Sequence, residues 1–125
     1  MNETSTAADS PPSSPGPGSP AVRLVELAER AAARLMRRSL LPGQNSVAVA
    51  MDVRHVASTE TPFEHWSVTV RRISVRGRLQ EFGIEVFDDS GLIGSVVHTR
   101  AAVVEARFVA QVRKRAGQPS MLLQV

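Results

Sequence analysis

The hydrophobic period of this chain changes once, abruptly, at Leu41-Pro42-Gly43, and that change constrains the fold more than any other feature. Before it, apolar side chains recur at helical spacing. At about 100° per residue, Leu24, Leu27, Ala28, Ala31, Ala32, Leu35 and Met36 share one broad arc. After it, Val47, Val49, Met51 and Val53 alternate with polar or small residues up to His55, the period of a half-buried strand. The spacing predicts a helix from Val22 to Ser39, a stop at Pro42-Gly43 and a strand from Ser46 to Val56.

Two titratable residues stand out on these elements. Glu29 falls at the edge of the apolar arc, between Met36 and Val22, whereas Glu26, Arg30 and Arg37 fall on the opposite, wet face. Glu26 can pair with Arg30 four residues on. A carboxylate at the Glu29 position meets apolar surroundings, which raise its pKa unless a partner compensates. The bland alternative is that Glu29 snorkels to solvent from the helix edge. The alternation places His55 on the face of Val47, Val49, Met51 and Val53, with Ser46, Ala48, Ala50, Asp52 and Arg54 on the other. A histidine ending an apolar stripe is either a satisfied structural residue or a proton carrier. An acid and a histidine on packed elements are the minimum set for acyl-transfer or hydration chemistry.

The rest of the chain reads as strands. Trp66, Val68 and Val70 alternate within a second strand, His65 to Val75. The phase change at Arg71-Arg72, before Ile73 and Val75, suggests a β-bulge. Arg76-Gly77-Arg78 is a turn, and a third strand from Leu79 to Phe87 puts Phe82, Ile84 and Val86 on one face. Asp88-Asp89-Ser90-Gly91 is a hairpin signal, and a fourth strand runs from Leu92 to Val104. Residues Glu105 to Arg115 fit either continued strand or a short helix. One helix followed by an antiparallel meander is an α+β layer with the helix on one sheet face.

With 125 residues the chain holds one domain and one core. Residues 1–20, rich in Pro, Ser and Gly, lack the apolar content for a core and are expected to be disordered. The domain is expected over 21–117, with a tail at 118–125. Cysteine is absent, which excludes disulfides, thiolate metal sites and cysteine nucleophiles. No metal or cofactor is expected. The formal charge is +3, and the basic residues are almost all arginine. The Arg34, Arg37, Arg38 group and the Arg113-Lys114-Arg115 run are read as solvated surface, with phosphate contact as the alternative. Tyrosine is absent and Trp66 is the only tryptophan, so no stacking platform for nucleic acid is expected. No segment has the length of a membrane span and the N-terminus has no apolar signal core, which makes cytoplasm the default.

Several motifs occur in order: Leu27-Ala28-Glu29-Arg30-Ala31, Arg34, Met36, Leu41-Pro42-Gly43, Ser46-Val47, Val53-Arg54-His55-Val56-Ala57-Ser58-Thr59, Arg76-Gly77-Arg78, and Ile93-Gly94-Ser95-Val96-Val97-His98-Thr99-Arg100. Together, over residues 20 to 115, they resemble the fluoroacetyl-CoA thioesterase-like family of hot-dog proteins. The resemblance implies a hot-dog fold, one long helix wrapped by a curved antiparallel sheet, in a homodimer with active sites near the dimer interface. It implies that Glu29 is the active-site acid, activating the attacking species or attacking directly, and that His55 assists proton transfer. It assigns Arg100 to the acyl-CoA site, with His98 of the same motif and Ala48 on the pocket wall. Three positions depart from the family. Its catalytic threonine, eight residues before the glutamate, is Ala21. A glycine seven residues before the histidine is Ala48, and a glycine of the last strand is Val96. The family's first strand, ahead of the helix, has no counterpart in the Pro/Ser/Gly segment. The expected activity is hydrolysis of an acyl-CoA or acyl-carrier thioester. The alternatives are a catalytically weak hot-dog protein that binds an acyl ligand or partner, and a hydratase or dehydratase.

Overall fold

The computed structural model describes residues 19–117. The expected tail at 118–125 and most of the expected disordered segment lie outside them. Helix α1 spans Pro20–Arg37, two residues earlier at each end than periodicity predicts. The shift has a local cause. The Ser19 side chain accepts from the Val22 amide at 3.3 Å as an N-cap, and Pro20 follows at a position where its missing N–H costs nothing. Arg34 and Arg37 in the last turn complement the helix dipole. Gly43, at φ 84°, then reverses the chain in a conformation that side-chain-bearing residues avoid.

Four antiparallel strands follow: β1 (Gln44–His55), β2 (Ser67–Arg76), β3 (Leu79–Asp88) and β4 (Gly91–Val104). Their order in the sheet is β1-β4-β3-β2, which leaves β1 and β2 as the edges among the described residues. The β2 strand starts later than expected because Phe63–His65 form a single 3-10 turn, and Trp66 ties that turn down by donating its indole N–H to the Thr61 carbonyl at 3.0 Å. The expected slip in β2 is present between Arg72 and Ser74. In the β3–β4 turn, the Asp88 carboxylate accepts the amides of Ser90 and Gly91. The ambiguous tail is a helix, α2 (Glu105–Ala116), none of whose residues is buried.

The core lies between α1 and one face of the sheet. Leu24, Ala28, Ala32 and Met36, each four residues apart, are buried against Phe82, Ile84, Val86, Ile93 and Val96. The helix approaches β4 closely: a Cβ on Gly94 would stand 2.7 Å from Leu24 Cδ1. No helix among the described residues is long and apolar enough to cross a membrane.

One feature of β1 corrects the sequence reading. The β1–β4 register shifts between Ala48 and Ala50, which makes Val49 an extra residue in the strand. Side-chain alternation inverts at such a bulge. Ser46 and Ala48, register partners of Ala102 and Arg100, therefore share the α1-facing side with Met51, Val53 and His55. The uninterrupted alternation expected from the sequence put them on the opposite face.

Candidate active site

The α1-facing side of β4 presents Gly94, Val96, His98 and Arg100 in turn. The last two are the only charged or polar side chains buried among the described residues. Arg100 is locked by its neighbours. Its Nε donates to Ser46 Oγ at 3.0 Å and its Nη2 to the Ser46 carbonyl at 3.0 Å. Its Nη1 lies 3.1 Å from His98 Nε2 and 3.6 Å from Glu29 Oε2. An arginine only donates, so His98 Nε2 accepts. The other ring nitrogen, Nδ1, lies 2.9 Å from the Ala50 carbonyl, which only accepts, so Nδ1 carries the proton. The ring is therefore a neutral imidazole with one defined tautomer. Burial, followed by the Arg100 charge, holds the His98 pKa below its ordinary value, against the Ala50 hydrogen bond, which works in the other direction.

The bulge at Val49 assembles this cluster. It turns Ser46 inward beneath Arg100 and leaves the Ala50 carbonyl available to His98. Each polar atom of the cluster has a partner, which is the condition for burying it. Ser46 is a residue that strand alternation missed. No local composition marks the bulge, so parity counted from His55 backwards fails at Val49.

Glu29 projects from the middle of α1 toward Arg100. Its side chain is 53 % exposed, so one oxygen is held by a guanidinium while the carboxylate still meets solvent. The compensating partner that its position called for is Arg100. His98, assigned to substrate by resemblance, is wholly buried and has both ring nitrogens satisfied. It sits behind Arg100 rather than on an open surface. Ala48 is exposed and stands opposite Arg100.

His55 lies elsewhere. It is exposed at the end of β1, opposite Gly94, with no hydrogen-bond partner among the described residues. Gly94 is six residues from Arg100, roughly 20 Å along β4 at about 3.4 Å per residue. Glu29 and His55 of one chain make neither an ion pair nor a hydrogen bond with each other. Ala21 sits half-buried in the first turn of α1. Among the described residues no cluster of three or more His, Asp or Glu has the proximity of a metal site.

A long helix laid across an antiparallel sheet, with an acid at mid-helix held from the last strand, places the molecule in the hot-dog class, the fold of the thioesterase superfamily. A solved thioesterase superfamily member from Thermus thermophilus superposes with a TM-score of 0.70 at 21% identity, over 81% of this chain and 74% of that one. The family model of the fluoroacetyl-CoA-specific thioesterases, FlK, matches residues 3–106, and the chain belongs to that family. It is 36% identical to the fluoroacetyl-CoA thioesterase of Streptantibioticus cattleyicolor over 92 residues, 74% of this chain and 66% of that protein. It thus spans a little under two thirds of that relative's length. A crystal structure of a point mutant of FlK in complex with fluoroacetate and CoA superposes with a TM-score of 0.67 at 34% identity, over 74% of this chain and 71% of that one.

Proposed function

We propose that this protein hydrolyses an acyl-CoA thioester, with Glu29 and His55 as its working pair. One observation carries the reading: in a member of this family, the mid-helix carboxylate of Glu29 is fixed by a buried arginine yet open to solvent. Such a group can take a proton from water as the oxygen attacks the thioester carbonyl, or attack that carbon itself. The C–S bond then breaks, and the thiolate receives a proton, which is the role we assign to His55; where Glu29 itself has attacked, water then cleaves the acyl–Glu29 anhydride, releasing the acid and restoring the carboxylate. Arg100, oriented by Ser46 and His98, is a positioning residue that holds one carboxylate oxygen and directs the other outward.

The separation of Glu29 from His55 within one chain supports a homodimer. Among the described residues the β1 edge offers a row of unpaired backbone groups and an exposed Val49, features that a second copy pairing along β1 would cover. We infer that each site is completed across that pairing, with the acid and the histidine supplied by different copies. Cytoplasmic action fits this reading, since free acyl-CoA is its substrate. A second reading has its own observation. Ala21 supplies no hydroxyl where the family has its catalytic threonine, which favours a weak catalyst that chiefly binds acyl thioesters. A panel of acyl-CoA esters assayed by release of free thiol tests both. Turnover of at least one ester, lost in Glu29→Gln, supports hydrolysis. Binding of CoA esters without any thiol release would move the assignment to the second reading.

A further inference from the structure

We propose that the cleft between α2 and the adjoining end of the sheet binds the phosphorylated nucleotide end of a coenzyme A thioester, a placement that rests on the thioesterase reading above. The cleft encloses about 370 Å³, and its lining includes Gln44, Arg78, Ala102, Arg107, Phe108 and Gln111. That volume is in the range of small-molecule sites.

Charge is the first argument. Arg23, Arg54 and Arg100 each lie against a carboxylate, but Arg78 and Arg107 pair with none among the described residues. They enter one cavity from two different elements, the β2–β3 turn and α2. Two arginines that line one concavity and have no carboxylate partner among the described residues suit phosphate oxygens, which guanidinium groups can meet with bidentate, charge-assisted hydrogen bonds.

Shape and chemistry supply the second argument. Phe108 is 37 % exposed at the rim of this cleft. An aromatic face beside cations is the usual platform for a base, because every base has a π-face to stack. Gln111 adds an amide donor and acceptor, and Gln44, whose Oε1 accepts the Leu41 amide at 2.8 Å, keeps its amide nitrogen as a donor, groups suited to base edges or ribose hydroxyls.

Position is the third. Ala102 lines the cleft and faces the same side of β4 as Arg100, two residues before it, roughly 7 Å away at strand spacing. The cleft therefore opens one step along the sheet from the residue that holds Glu29. A flexible arm from a nucleotide seated there would run along a single sheet face toward the acid.

The test compares the wild type with the double variant Arg78→Gln/Arg107→Gln. Each protein is assayed on one acyl group carried either by CoA or by N-acetylcysteamine, which lacks the nucleotide. Binding of adenosine 3′,5′-bisphosphate is followed by calorimetry. The proposal expects KM for the CoA ester to rise by about tenfold or more, the scale of losing charge-assisted contacts. It expects kcat on the CoA ester, and all constants on the N-acetylcysteamine ester, to stay near wild type. The bisphosphate should bind the wild type and lose at least about tenfold in affinity in the variant. Unchanged KM for the CoA ester, or equal losses on both esters, would overturn the placement. If the wild type releases no thiol from any ester, the thioesterase reading fails by itself and the calorimetry decides the cleft. Bisphosphate binding that the double variant abolishes would uphold it, and no binding by the wild type would overturn it.

Discussion

The two ends of β1 differ in how completely a single chain builds them. At the Ser46 end, a bulge, a serine, a buried histidine and an arginine fix each other and hold one oxygen of Glu29, with both ring nitrogens of His98 and all three guanidinium nitrogens of Arg100 partnered. At the His55 end the imidazole is exposed and lacks any hydrogen-bond partner among the described residues. The contrast follows from where each group sits. His98 and Arg100 lie on β4 inside the sheet, where water is excluded and polar groups are buried only in a closed network. His55 ends β1, an edge strand among the described residues, and stays exposed although α1 packs closely on its register partner Gly94, so its side chain can wait for a substrate or another copy. The proposed pair thus has one rigid and one unfinished member, as expected of a site completed by association.

The largest effect that tests this contrast is on turnover. Glu29→Gln should lower kcat for thioester hydrolysis at least about a hundredfold, the scale of losing general acid–base assistance, with the melting temperature nearly unchanged. Comparable turnover in the two proteins would remove Glu29 from the chemistry.

Complementation sharpens it further. His55→Ala alone should be as impaired as Glu29→Gln. Refolding the two variants together should restore roughly a quarter of wild-type activity, since random pairing gives half mixed dimers, each with one intact site of two. An inactive mixture would show that acid and histidine act from the same copy.

Stability reads the rigid end. Arg100→Met should cost about 2–3 kcal/mol, because the Ser46 oxygens and His98 Nε2 lose their donor in a buried setting. Urea titration measures this, and a loss below about 0.5 kcal/mol would mean that water replaces the guanidinium freely. His55→Ala should leave the same titration unmoved.

A smaller effect is pH-dependent. The folded pKa of His98 is depressed, while the unfolded ring titrates near 6.5. The folded state favours the neutral ring, so its contribution is complete above about pH 6.5. It is lost progressively as pH falls below that value, because the unfolded chain binds a proton that the buried ring refuses. The groups whose charges reach the ring are Arg100 on its own strand and Glu29 on α1, while β1 and β3 present Met51 and Phe82. The slope is bounded at about 1.4 kcal/mol per pH unit and should be absent in His98→Gln. Urea midpoints at pH 7.5 and pH 5 in the two proteins check it.

The smallest expected effect belongs to Glu26→Gln. Glu26 is exposed and pairs with Arg23 at 3.3 Å, a contact that contributes little, so activity and stability should both stay near wild type.

Much of this architecture was legible in the residues. The arc from Leu24 to Met36 announced α1, and Asp88-Asp89-Ser90-Gly91 announced the β3–β4 hairpin. The edge position of Glu29 already separated it from Glu26. The helix start at Pro20 was missed because a cap is a hydrogen bond and not a periodicity. The helical fate of Glu105 to Ala116 was left open because its apolar residues, Phe108, Val109 and Val112, fit either period over so short a span.

Sequence by itself determined the elements and which of them carry an acid or a histidine, since periodicity and turn chemistry act between near neighbours. Only the tertiary structure decided that Val49 bulges, that Ser46 and Ala50 thereby serve Arg100 and His98, and that Glu29 finds its cation 71 residues away. A bulge changes the parity of every residue on one side of it, and its position depends on how β1 fits β4. Pairings between distant residues exist only once that register is set.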